Sequence, residues 1–266
     1  MSKDIWENIE RLNEQKLLES KINDKYKFAI SRNKITYTDF LNLSEKNIAE
    51  KYLMEHHIKN YQFFGGNGED SDRNILIFYP EKFSEEMIQK SIDNIISGIR
   101  INLPKELKYE HRIYLSGIIK LGIKREKVGD ILVRENGADL IVLNEISEFL
   151  INNLKQLTRF KSTNIEKIKI NDIKIQEKEF EEFNIIVSSM RLDNFVAELA
   201  HTSRAKAEEI LNEQRVFVNY SLEIKESKKI QIGDVINIRG KGKYIVGDIL
   251  KSTKSNKIKL MIKKYI

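Results

Sequence analysis

Apolar positions along the chain fall into three patterned stretches separated by changes of period. In the first, Ile5, Leu12, Leu17 and Leu18 stand in a charged background, which predicts an amphipathic helix with Trp6 on or near its apolar side. Tyr37 to Ile58 reads as a second helix, with Thr38 or Asp39 as its cap and Phe40, Leu41, Ile48, Tyr52 and Leu53 as apolar positions. The segment YQFFGGNGEDSDRNILIFYP predicts two strands around a glycine-rich turn. Ser84 is placed to cap a helix through Ile96, with Glu85 and Glu86 complementing its dipole. Residues 1–98 are thus expected to form an N-terminal α+β unit.

From Ile99 the order becomes strand (IRINL), helix (His111 to Leu121), strand (DILVR), strand (ADLIVL), helix (Glu145 to Leu157) and strand (IEKIKI). Asn136-Gly137 predicts a type I′ hairpin, whose two central residues need positive φ. A βαββαβ order over 99–171 predicts a ferredoxin-like domain, the arrangement also used by RNA-recognition modules. Such modules stack bases on strand aromatics, whereas DILVR and ADLIVL carry none, so backbone and shape contacts, or none, are expected here. The charged stretch NDIKIQEKEFEE lacks apolar periodicity and places a linker at 172–182. Residues 183–266 then read as a strand, two short helices and a small twisted sheet. The fold class expected is α+β in three parts.

Charge separates these parts. Asn184 to Ile266 holds 16 Lys plus Arg against 9 Asp plus Glu, a net of +7, whereas the preceding residues hold 30 against 31. Between Arg239 and Lys264 there are nine basic residues and one acid, Asp248, the footprint of a surface that meets polyphosphate. A lysine-rich tail that only keeps the chain soluble would carry the same charge. Cysteine is absent, which excludes disulfides, thiol catalysis and cysteine-ligated metal. The histidines His56, His57, His111 and His201 lack the i, i+4 spacing of zinc helices, so no metal and no cofactor is expected. No long apolar run occurs and the start, MSKDIWENIERLNEQ, is polar, so a cytoplasmic protein without membrane contact is expected.

The string from Met190 to Gly240 resembles the S4 RNA-binding domain. Arg191, Leu192 and Asp193 match its Arg-Leu-Asp; Ser203 and Arg204 match its Ser-Arg. Val216, Val218 and Asn219 match its Val-x-Val-Asn, and Gly233, Asp234 and Ile236 its Gly-Asp-x-Ile. Independently of the resemblance, Ser203 as a cap leaves Arg204 and Lys206 at a helix start, where free N–H groups and cations together can meet phosphate. Arg191 pairs either with Asp193 or with RNA. Gly240 and Gly242 in RGKGKY either admit a phosphate or form a turn, and Tyr244 either stacks on a base or packs into the sheet. Gln214 and Tyr220 stand where the family often has glycine, which leaves the turn geometry at both places open. The RNA-binding set expected in this part is Arg191, Ser203, Arg204, Lys206, Arg215, Asn219, Arg239, Lys241 and Lys243.

HRIYLSGIIKLGIKREKVGDILV, with TDFLN and Phe-Phe-Gly-Gly before it, is similar to the YlmH-type S4 proteins of low-GC Gram-positive bacteria. The central match runs from His111 and Arg112 through Lys124, Arg125, Gly129 and Asp130, and His111, Arg112, Lys124 and Arg125 join the expected RNA-binding set. The resemblance implies a non-enzymatic protein that binds rRNA of the large ribosomal subunit and tRNA, in ribosome-associated quality control, and is a monomer off the ribosome. The alternative class is an S4-domain RNA-modifying enzyme, a pseudouridine synthase or a methyltransferase-like protein. A synthetase is excluded by the lack of HIGH-type and KMSKS-type signatures; against a methyltransferase, FFGGNGED precedes a strand instead of a helix, against a pseudouridine synthase, Asp193 lies within the S4 pattern, and no nucleophile accompanies His111 and Arg112.

Overall fold

A computed structural model describes residues 3–68, 71–173, 179–252 and 257–266. The chain is an α+β protein with three antiparallel sheets, in two compact units, Met1–Gln176 and Glu177–Ile266. Among the described residues no helix is long and apolar enough to cross a membrane.

The first unit opens with α1 (Lys3–Arg32), of which Leu18, Ile22, Tyr26 and Ala29 form one packed stripe at helical spacing. The short strands β1 (Thr36–Tyr37) and β2 (Leu41–Asn42) follow, then α2 (Leu43–Glu55), β3 (Tyr61–Phe64) and β4 (Arg73–Phe78). The helix expected from Tyr37 therefore begins six residues later. Asn42, not Thr38 or Asp39, caps it, its Oδ1 accepting from Glu45 N at 3.0 Å while Glu45 Oε2 accepts from Asn42 N at 2.7 Å. Thr38 is spent on β4, exchanging hydrogen bonds with Leu76 through its N–H and its hydroxyl. The remaining elements are α3 (Glu85–Ile95), capped by Ser84 as expected, β5 (Ile96–Asn102), α4 (His111–Lys120), β6 (Val128–Arg134), β7 (Gly137–Leu143), α5 (Asn144–Leu154) and β8 (Asn164–Ile168).

β5 to β8 form a sheet in the order β6-β7-β5-β8, with α4 and α5 on one face over Ile99, Ile101, Leu140 and Val142. The alternate residues Ile96, Ile141 and Leu143 face the other way and share a core with Phe40, Ile75, Ile77, Ile88 and Ile92. Residues from both sides of position 98 thus bury one another. The turn at Glu135 and Asn136 is not type I′, because neither residue has positive φ. Gly137 has φ +144 as the first strand residue instead, where a Cβ would lie 1.9 Å from Ile101 O. Residues 174–178 of the expected linker lie outside the described residues.

The second unit starts with β9 (Phe180–Val187), inside the stretch expected to be linker. α6 (Leu192–Leu199), α7 (Arg204–Asn212), β10 (Val216–Val218), β11 (Ser221–Leu222), β12 (Val235–Ile238), β13 (Gly242–Ser252) and β14 (Ile258–Tyr265) complete it. The sheet order is β11-β10-β12-β13-β14-β9. Leu192, Phe195, Val196, Leu199, Ala207, Ile210 and Leu211 pack from the helices onto Val216, Val218, Ile236, Ile238, Val246, Leu260 and Ile262. One face of this sheet is therefore covered by helices. Gln214 (φ 56°) and Tyr220 (φ 67°) are left-handed, so the backbone keeps a glycine-type conformation at both places without a glycine.

Candidate nucleic-acid interface

In the second unit the two helix starts are tied by one carboxylate. Asp193 is fully buried and accepts from Arg191 Nε at 3.1 Å and Nη2 at 2.7 Å, from Arg204 Nε at 3.1 Å and Nη2 at 2.6 Å, and from Asn194 N at 2.9 Å. Burial alone would raise this carboxyl, but the hydrogen bonds and charges of Arg191 and Arg204 outweigh it and hold Asp193 below its ordinary value. The pairing of Arg191 with Asp193 is thus made, and Arg204 joins it. Glu208 and Glu226 come close enough to share a cation with Asp193, yet the guanidinium groups already fill that role.

Ser203 caps α7, its hydroxyl accepting from Lys206 N at 3.3 Å, so the amide nearest Lys206 is already used. Lys206 itself is exposed and pairs with Glu209. Asn219 locks a turn, its Oδ1 accepting from Val235 N at 2.9 Å and its Nδ2 donating to Asp234 Oδ1 at 2.8 Å. Arg215 donates to Arg239 O at 2.8 Å and pairs with Glu213 at 3.0 Å. Gly240 lies in the turn between β12 and β13, Gly242 is the first residue of β13 opposite Ile238, and Tyr244 is buried with its hydroxyl donating to Lys241 O at 3.1 Å. Of the choices left open by the sequence, turn and packing are the ones taken. Lys241 is exposed at that turn; Arg239 lies 4.8 Å over the Phe217 ring, and Lys243 lies 4.7 Å from Tyr220 and 4.4 Å from Tyr265. These rings were missed by sequence reasoning, since only the register of the strands brings Tyr265 beside Lys243.

The first unit divides its set in the same way. Arg112 projects from the first turn of α4 and Lys124 from the segment that follows it, with side chains 82% and 78% exposed, near Glu110 and Glu126. Arg125 turns inward, donating from Nη1 to Val128 O and, at 3.0 Å, to Gly129 O. Arg73, which the sequence did not single out, donates to the same Val128 O at 3.1 Å and to Phe40 O at 2.8 Å, while Asp130 accepts from Asp72 N at 3.0 Å. The Phe-Phe-Gly-Gly loop and the Val-Gly-Asp strand thereby close on each other. Gly129 lets the Phe40 ring pack against β6, because a Cβ there would stand 2.7 Å from it. His111, first residue of α4, is pushed below its ordinary value by burial and by Arg125, against an opposing pull from Asp72, so it is neutral near pH 7.

Comparison with known proteins adds to this geometry. Residues 90–182 match a family model described as a putative RNA-binding domain in YlmH. Over 194 residues, 73% of this chain and 74% of its relative, the sequence is 29% identical to the ribosome-associated protein quality control protein P2 of Bacillus subtilis (strain 168). Both matches make the chain similar to the YlmH family. A solved family structure, the cell division protein ylmH from Streptococcus pneumoniae, matches 66% of this chain and 97% of its own with a TM-score of 0.46 and 20% identity. The YlmH domain match takes in His111, Arg112, Lys124 and Arg125, so two outward cations, the inward-turned Arg125 and the surface residue His111 lie within it.

Proposed function

We propose that this YlmH-like chain is a non-enzymatic RNA-binding protein that engages rRNA of the large ribosomal subunit and tRNA in ribosome-associated quality control. The observation that carries the reading is the extended similarity to the Bacillus subtilis quality control protein. In this reading residues 99–171, with strand order β6-β7-β5-β8, are a ferredoxin-like domain, and the second unit is an S4 domain. Since α4 and α5 cover one face of the ferredoxin-like sheet and the Phe40 core much of the other, recognition there falls to the outward Arg112 and Lys124. Lys206, Lys241 and Lys243 supply phosphate contacts in the S4 domain, and Arg191 and Arg204 lend their remaining donors.

The test is co-sedimentation of the full chain with large subunits in excess competitor RNA at several salt concentrations, beside an Arg112→Ala, Lys124→Ala variant. Arg125 is left intact because its loss would release the Val128–Gly129 backbone. The variant should lose selective retention while keeping salt-dependent binding to free RNA. Equal retention of both proteins would remove the first unit from recognition.

A further inference from the structure

Among the described residues of the second unit, its helices α6 and α7 pack on one face of the sheet and leave the other without a helix of that unit. Val216, Val218, Ile236, Ile238 and Tyr244 point into the core, so Phe217, Asn237 and Lys243 between them point outward. The registers Phe217↔Asn237, Asn237↔Lys243 and Tyr265↔Phe180 set these residues in one row across β10, β12, β13, β14 and β9, with Lys243 and Tyr265 in contact at its middle. Tyr220 adds a ring on the other side of Lys243, and Phe180 meets Tyr265 edge-on at 4.9 Å. Leu260 and Ile262 face the core, which turns Lys259 and Lys263 outward beside the row, Lys263 paired with Glu182 at 3.1 Å.

We propose that this outward sheet face is a stacking platform for single-stranded RNA, a reading that rests on the RNA-binding function above and gives it a substrate class. Rings held by a rigid sheet lose little freedom when a base stacks on them, and every base has a face to stack. Phe217 and Tyr265 are separated by three strand spacings, about 14 Å, which sets them to engage different bases with Lys243 between them for a phosphate. Arg239 already lies over Phe217 and Lys243 beside Tyr220 and Tyr265, so the cations that meet the backbone stand at the rings that meet the bases. A protein partner would be favoured by a broad apolar patch; this face interleaves Arg239, Lys243, Lys259 and Lys263 with its rings.

The experiment measures binding of the full chain to a labelled short oligouridylate and to a perfect RNA duplex by fluorescence anisotropy. Phe217→Leu and Tyr265→Leu remove a ring and keep apolar bulk; each should weaken single-strand binding roughly five- to a hundredfold and leave duplex binding unchanged. Tyr265→Phe should bind as the parent does. Should a leucine variant unfold, cross-linking of the parent protein to a 4-thiouridine oligonucleotide decides instead, with adducts expected at Phe217 or Tyr265. Ring variants that are folded and bind oligouridylate like the parent, adducts confined to α7, or ring variants that lose a protein partner instead of RNA would each overturn the platform. In those cases retention on large subunits keeps the RNA-binding reading; a parent chain that binds neither oligouridylate, rRNA nor large subunits overturns both.

Discussion

Replacing Asp193 by asparagine keeps the shape of the side chain that joins the starts of α6 and α7 and removes the charge. In the parent both carboxylate oxygens accept from guanidinium donors, and one also accepts from Asn194 N. The amide would turn two hydrogens of its own toward donors that cannot accept them. Breaking a buried ion pair from one side costs about 3–5 kcal/mol when the abandoned charge stays buried. Here the Arg191 and Arg204 side chains are 38% and 56% exposed and regain water, so the loss should fall below that range, at about 2 kcal/mol. With a urea slope near 1 kcal/mol/M for a unit of this size, the midpoint should fall by about 2 M. Hydrogen exchange followed by mass spectrometry across a urea series, read on α6, α7 and β12, reports this unit without interference from the other. Acid supplies the second half of the test. A carboxyl depressed in the folded state stabilises above its unfolded value and loses that stabilisation as pH falls through the folded value. The gap between parent and Asp193→Asn should therefore hold from neutral pH to about 4 and close below it. A midpoint shift of only a few tenths molar, or a gap unchanged by acid, would refute the charge clamp.

Gly129→Ala should destabilise the first unit by about 1–3 kcal/mol, measured by thermal unfolding, because the new methyl meets the buried Phe40 ring at 2.7 Å. Gln214→Gly should be more stable than Gln214→Ala by about 1 kcal/mol: both lack the side chain, and only alanine carries a Cβ at φ 56°. Equal midpoints in urea would show that the left-handed turn carries no strain. His111→Gln should gain stability relative to the parent as pH falls below about 6.5, since a histidine depressed in the folded state costs stability once the unfolded chain takes up its proton; parallel pH profiles would exclude that environment.

Local chemistry was legible in the sequence, and non-local pairing was not. Ser84 and Ser203 cap the helices they precede because a cap acts within a single turn. The strand and helix order of β5 to β8 followed from period alone. Tyr37, Phe40 and Leu41 also satisfy a helical period, yet their backbone partners lie on β4 and, for Phe40, at Glu126 O, which no local signal reveals. The Arg191–Asp193 contact could be anticipated at a spacing of two, whereas Arg204 arrives from the next helix. The contact of Lys243 with Tyr265 escaped notice for a further reason: β13 has register shifts between Val246 and Lys251, so counting back from the hairpin does not give the facing residue.

Many of the residues that carry the family resemblance hydrogen-bond within the fold. Asp130 ties Asp72 of the β3–β4 loop to β6, Arg125 holds the carbonyls of Val128 and Gly129, and Gly129 packs against Phe40; Arg191, Asp193 and Arg204 join two helices; Asn219 and Asp234 fix one turn. Each spends polar atoms on the fold, and a donor already satisfied inside the protein gains less from a phosphate than one facing water. The exposed cations of the expected set include Arg112, Lys124, Lys206 and Lys241, of which only the first two stand inside the YlmH domain match. It follows that substitutions chosen by motif alone would weaken RNA binding through unfolding, and a loss of binding identifies a contact here only when the unfolding midpoint of the same variant is unchanged.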